Sequence, residues 1–149
     1  MSMNAHTNQL KQHILKICAE NQAQVTPLRE AVLDLLLKHD GVLKAYQLLN
    51  DMQLIRKNVA PPTVYRALDF WVEQGVLHKV NALNGYVLCQ HPDHPHQGVI
   101  LLCDSCHHIF EECDTPKLRE LKEELAQKGF TVDMQQMVLT GVCQSCQTK

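Results

Sequence analysis

Apolar residues in the first half of the chain recur at spacings of three and four, and helix-breaking residues divide them into four segments. Leu10, Ile14, Ile17 and Cys18 share one side of residues 7 to 22, which predicts a first helix. Thr26-Pro27 opens a second by the cap-then-proline rule, with Leu28, Ala31, Val32, Leu35 and Leu36 turned inward until Asp40-Gly41. A third is expected from about Lys44 to Ile55, burying Leu48, Leu49 and Met52. Residues 60 to 75 carry the fourth. Pro61 and Pro62 suit a helix start, Thr63 is the expected cap, and Gly75 is the stop. Val64, Leu68, Trp71 and Val72 fall on one face of this helix, and Tyr65, Arg66 and Asp69 on others.

The period then shortens. Leu77 to Val80 and Tyr86 to Cys89 flank the Gly-containing turn Asn81 to Gly85, which predicts two short strands. Helices followed by a hairpin make a winged helix-turn-helix. Residues 89–98 hold two Pro, a Gly, Cys89, His91, His94 and His96, a linker rich in candidate ligands. Beyond it, residues 99 to 103 and 107 to 113 read as strands. A helix opens at Thr115-Pro116 and runs to Lys128-Gly129, burying Leu118, Leu121 and Leu125. Phe130, Val132 and Met134 alternate as a last strand that Met137 and Leu139 continue. The expected class is α+β: a winged-helix domain at 1–88, a hinge at 89–98 and a small α/β domain at 99–149. So small a sheet stands poorly alone, and pairing with a second copy would complete it.

Composition adds few constraints and one useful asymmetry. No run of about 18 apolar residues exists, so no membrane span is expected. The amino terminus lacks a basic segment followed by an apolar one, which argues against a signal peptide and for the cytoplasm. The net charge is −2, but residues 1–84 hold nine basic against seven acidic residues, whereas residues 85–149 hold five against nine. The half with the fourth helix is the more basic. That excess is small, so nucleic-acid binding would need a dimer and specific contacts besides bulk attraction.

Cys103-Asp-Ser-Cys106 and Cys143-Gln-Ser-Cys146 carry the strongest chemical signal. Two such knuckles supply four thiolates, the donor set of a closed structural zinc site. The 36 intervening residues would bring the tail, which ends three residues after Cys146, back to the start of the domain. A redox dithiol normally opens a helix after a strand in a thioredoxin-like unit, and no such unit is visible. Cys18, on an apolar face, reads as a core residue, and Cys113 as a plain thiol.

Pro-Pro-Thr-Val-Tyr-Arg-Ala-Leu-Asp-Phe at 61–70, then Glu-Gln-Gly, His-Lys-Val and Tyr-Val-Leu-Cys, together with the two knuckles, resembles the ferric uptake regulator superfamily over nearly the whole chain. The similarity is greatest to its zinc uptake regulator branch. It implies a homodimeric, zinc-responsive repressor of zinc uptake genes, binding a palindromic double-stranded operator through Thr63, Tyr65 and Arg66 of the fourth helix and Tyr46 of the third. It also implies a second, regulatory zinc, two per chain in all, on His78, Cys89, His96 and Glu111. Spacing alone does not select these four, each of which also suits a surface or linker role. His96 lies seven residues before Cys103 and Glu111 eight after it, as the family pattern expects. The prolines around His91 and His94 depart from the iron-sensing members, and leave open whether either histidine replaces a ligand or forms an extra site. His107 and His108 read as surface imidazoles. A thiolate, two imidazoles and a carboxylate suit zinc better than iron or manganese. The rival readings are a sensor of another metal or of peroxide, a zinc enzyme, which would need an open coordination position, and a zinc store without a DNA role.

Overall fold

The computed structural model describes residues 4–39, 41–89, 99–112, 115–132 and 137–148. The chain forms two compact units, Met1–Asp93 and His94–Lys149. The first unit contains α1 (Ala5–Glu20), α2 (Pro27–Leu37), β1 (Leu43–Lys44), α3 (Ala45–Ile55), α4 (Pro61–Glu73), β2 (Leu77–Val80) and β3 (Gly85–Leu88). Thr26 caps α2 as expected, its hydroxyl accepting from the Arg29 N–H at 3.3 Å.

The start of α4 differs from the sequence expectation. The cap position is Ala60, which offers no side-chain hydrogen bond, and Thr63 lies inside the first turn. Pro61 and Pro62 already fix helical φ and need no capped N–H of their own, so the helix begins one turn earlier. Its end follows the glycine rule. Gly75 (φ 76°) donates to the Val72 carbonyl and Val76 to that of Trp71, each at 3.0 Å, which closes a Schellman motif.

The buried face of α4 is wider than periodicity suggested. Val64, Leu68 and Trp71 are buried, Val72 is only half-buried, and Ala67 and Phe70 join the core. Arg29 explains the extension: its guanidinium lies 4.0 Å over the Phe70 ring, and its carbonyl accepts from Trp71 Nε1 at 2.9 Å. Ile14, Cys18, Leu33, Leu48 and Met52 complete a core shared by all four helices.

β1, β3 and β2 form an antiparallel sheet in that order, the wing. β1 was not foreseen, because two residues carry no period. Asn84 takes a left-handed conformation (φ 47°), and its carbonyl accepts from the Ala45 N–H at 3.2 Å, tying the wing to the first residue of α3. Gly85 is required here: a Cβ would sit 2.6 Å from Val42 Cγ1 and 2.9 Å from the Leu43 carbonyl.

The second unit contains β4 (Val99–Cys103), β5 (Ile109–Glu112), α5 (Pro116–Gln127), β6 (Val138–Gly141) and α6 (Gln144–Gln147). The sheet order is β5-β4-β6, with β4 antiparallel to β5 and parallel to β6. Thr115 caps α5 by accepting from the Leu118 N–H at 3.3 Å. Two expectations fail in this unit, and one element was not foreseen. Leu118, Leu121 and Leu125 are not buried within the chain, and no residue of α5 is. Phe130, Thr131 and Val132 lie outside any strand, Met134 lies outside the described residues, and the expected continuation survives only as β6, which contains Leu139. α6 has too few residues to show a helical period. No helix among the described residues is long and apolar enough to cross a membrane.

Candidate metal centres and nucleic-acid interface

In the second unit the sheet register builds the first centre. Cys103 ends β4 opposite Gly141 of β6, which places the Cys143 knuckle beside the Cys103 knuckle. The Asp104 N–H donates to the Gly141 carbonyl at 2.7 Å and fixes that approach. The Sγ atoms of Cys103, Cys106, Cys143 and Cys146 all lie within 4.8 Å of one another. Cys106 and Cys143 are 3.7 Å apart, Sγ to Sγ. A tetrahedron with zinc–sulfur bonds of about 2.3 Å has an edge of about 3.8 Å, so the donor set fits zinc in chemistry and size.

The backbone prepares thiolate character at one corner. The amides of Cys106 and Cys143 bring the Cys103 thiol down to about 6; the Cys143 N–H lies 3.4 Å from its sulfur. Cys146 is pushed up to about 12 by its hydrogen bond to Cys143 and by burial. A metal must displace that proton, and binding at this corner therefore releases one. His107 takes φ 61° where the first knuckle turns back, its N–H donating to the Cys103 carbonyl at 2.9 Å. His107 and His108 are exposed, as expected, and the His108 ring packs edge-on against Phe110.

In the first unit His78 lies on β2 and Cys89 just beyond β3. Val87 is the register partner of His78, and the Cys89 N–H donates to the Val76 carbonyl at 2.8 Å. The Cys89 sulfur and a ring nitrogen of His78 come within 4.8 Å of each other. Cys89 is buried and His78 half-buried at the base of the wing. Glu111 is half-buried on β5, opposite Ile100. His91, His94, His96 and Cys113 lie outside the described residues. Cys18 is a core residue whose thiol is raised by burial.

The residues expected at DNA share one property, outward exposure. Thr63 and Arg66 are exposed on the first turns of α4, Tyr65 is 41% exposed, and Tyr46, second in α3, is 58% exposed. Sequence reasoning missed two supporting features: Gly85, whose close contact with β1 no local pattern announces, and the amides that acidify Cys103.

A winged helix with an outward-facing α4, carried on the same chain as a four-cysteine knuckle domain, defines a metal-dependent transcription regulator. The ferric uptake regulator family model matches residues 20–140, and the chain belongs to that family. The zinc uptake regulation protein of Escherichia coli (strain K12) is 39% identical over 142 residues, covering 94% of this chain and 82% of that one. A solved zinc uptake regulator complexed with zinc and DNA matches with a TM-score of 0.85 at 38% identity over 97% of each chain. The crystal structure of holo XcZur matches with a TM-score of 0.82 at 34% identity, over 95% of this chain and 99% of the other.

Proposed function

We propose that this protein is a cytoplasmic, homodimeric, zinc-responsive repressor of zinc uptake genes, without enzymatic activity, that reads a palindromic operator. The observation that carries the reading is the pairing, within one winged helix, of an outward-facing Tyr65 and Arg66 with a buried thiol and imidazole, Cys89 and His78, at the base of the wing. The likeness to zinc uptake regulators supports it.

Each protomer uses its residues in three ways. Arg66 reaches a guanine edge or a phosphate, Tyr65 packs on sugar or a thymine methyl, and Thr63 and Tyr46 bond to the flanking backbone. Cys103, Cys106, Cys143 and Cys146 hold a structural zinc that crosslinks the tail to β4; when bound, this ion supplies a closed four-coordinate site with no reactive position. His78 and Cys89, completed by His96 and Glu111, hold a regulatory zinc. The ligands belong to both units, so sharing an ion restricts one unit against the other. Two recognition helices then meet successive major grooves only when their spacing matches about 34–36 Å. A roughly 100-fold preference of the ion for that arrangement is worth about 2.7 kcal/mol, within the usual range of allosteric coupling.

The second unit supports dimerisation. Phe110, Leu139 and Val142 are each more than 40% exposed, and with Leu101 and Leu102 they line an apolar hollow of about 350 Å³. A second copy would cover it. Cys89→Ser tests the regulatory site. Zinc titration of DNA binding should shift to at least tenfold higher free zinc while the four-cysteine metal stays bound. An unshifted titration removes Cys89 from sensing.

A further inference from the structure

The connection between α3 and α4 carries two cations that the helix faces do not explain. Arg56 leaves α3 with an extended backbone (φ −131°, ψ 97°). The Val59 N–H donates to the Arg56 carbonyl at 3.1 Å, which closes a turn over Lys57 and Asn58. Leu28, Arg56, Lys57, Asn58, Val59 and Thr63 line a cavity of about 420 Å³. No acidic residue lines it, Arg56 and Lys57 are exposed, and among the described residues neither side chain enters an ion pair. Two uncompensated cations on a closed turn mark a site for an anion.

The helix end adds little to this charge. Pro61 and Pro62 have no N–H, and that of Thr63 already bonds to the Ala60 carbonyl at 3.0 Å. Attraction in this cavity therefore comes from Arg56 and Lys57, with Asn58 and the Thr63 hydroxyl as neutral partners. Thr63 also belongs to the turn that presents Tyr65 and Arg66, so an anion here lies next to whatever α4 reads.

We propose that this cavity is a phosphodiester-binding site, taking one backbone phosphate of the duplex whose base edges face Tyr65 and Arg66. The inference rests on the DNA-binding reading and deepens it: this contact sets the register of α4 on the duplex and carries no sequence preference.

The test is the salt dependence of binding by zinc-replete full-length dimer. The probes are a fluorescent random-sequence duplex and a duplex recovered by selection with the wild-type protein. With one phosphate contact in each of the two protomers, Arg56→Ala and Lys57→Ala should each flatten the slope of log K against log salt by about 1.8, so that each variant loses roughly 12-fold less affinity than wild type between 50 and 200 mM salt. Each should weaken both duplexes by the same factor. Arg56→Lys should restore the slope, and Lys128→Ala, in the other unit, should leave it unchanged. Unaltered slopes for both alanine variants overturn the proposal, as does a loss confined to the selected duplex. In either case Arg66→Ala still reports on the DNA reading: loss of preference for the selected duplex keeps that reading while the cavity proposal fails. Absence of wild-type binding to any duplex overturns both.

Discussion

Cys143→Ala is the substitution to which the second unit should respond most strongly. Its buried core, among the described residues, is Val99, Ile100, Leu102 and Cys103, all on one strand. At about 1.5–3 kcal/mol for each fully buried aliphatic side chain, the three aliphatics contribute on the order of 6 kcal/mol before the entropy of ordering the chain is subtracted. A structural zinc site contributes about 10–16 kcal/mol at neutral pH. The metal term is the larger, so a unit that loses it should not stay folded. The Cys106–Cys143 separation of 3.7 Å already matches a zinc tetrahedron, and deleting that sulfur leaves three donors and an open position. Native-state hydrogen exchange reads the outcome locally. The Ile100 and Cys103 amides, bonded to Met137 at 3.1 Å and His108 at 3.0 Å, should lose at least a thousandfold of protection. The Gln74 and Val76 amides, bonded to Phe70 and Trp71 at the end of α4, should keep theirs. Metal analysis should show one zinc per chain fewer. Protection at Ile100 within tenfold of wild type, with zinc undiminished, would refute the reasoning.

Three further outcomes follow from the first unit. Trp71→Phe removes the hydrogen bond that Nε1 donates to the Arg29 carbonyl and leaves a small void at a fully buried site, so urea unfolding should show a loss of about 2 kcal/mol. Gly85→Ala forces a Cβ against the Leu43 carbonyl and should cost about 1–3 kcal/mol in thermal unfolding, because β1 must move. Lys11 lies 2.8 Å from Asp34 and 3.0 Å from Glu30, and its ammonium is raised by the bond to Asp34. A raised cation stabilises below its unfolded value of 10.5 and loses that contribution as pH climbs through the folded value. The stability difference between wild type and Lys11→Gln should therefore hold constant from pH 6 to 10 and shrink above 10.5, as chemical denaturation at each pH would show.

The elements most legible in the sequence were those with local physical causes. Thr26-Pro27 and Thr115-Pro116 mark their helices because a hydroxyl cap followed by proline is a backbone requirement. The two knuckles announce a centre because few other roles need four thiols at that spacing. What escaped was set by partners distant in sequence. Phe70 is buried because Arg29 lies over it, and β1 exists only because Gly85 and Tyr86 pair with it. The stripe on α5 has the period of a buried face, yet it is not buried within one chain, and a periodicity cannot say which molecule covers it. The second metal set was legible only through family resemblance. His78 and Cys89 are eleven residues apart on separate strands, and register, rather than spacing, brings them together.

The central claim is that zinc licenses sequence-specific DNA binding. The most direct measurement is selection of random genomic duplexes by the purified protein, in buffered free zinc and in a chelator mild enough to leave the four-cysteine site filled. The account predicts enrichment of a palindromic sequence with zinc and none with chelator. Equal enrichment in both conditions, or none in either, would contradict it.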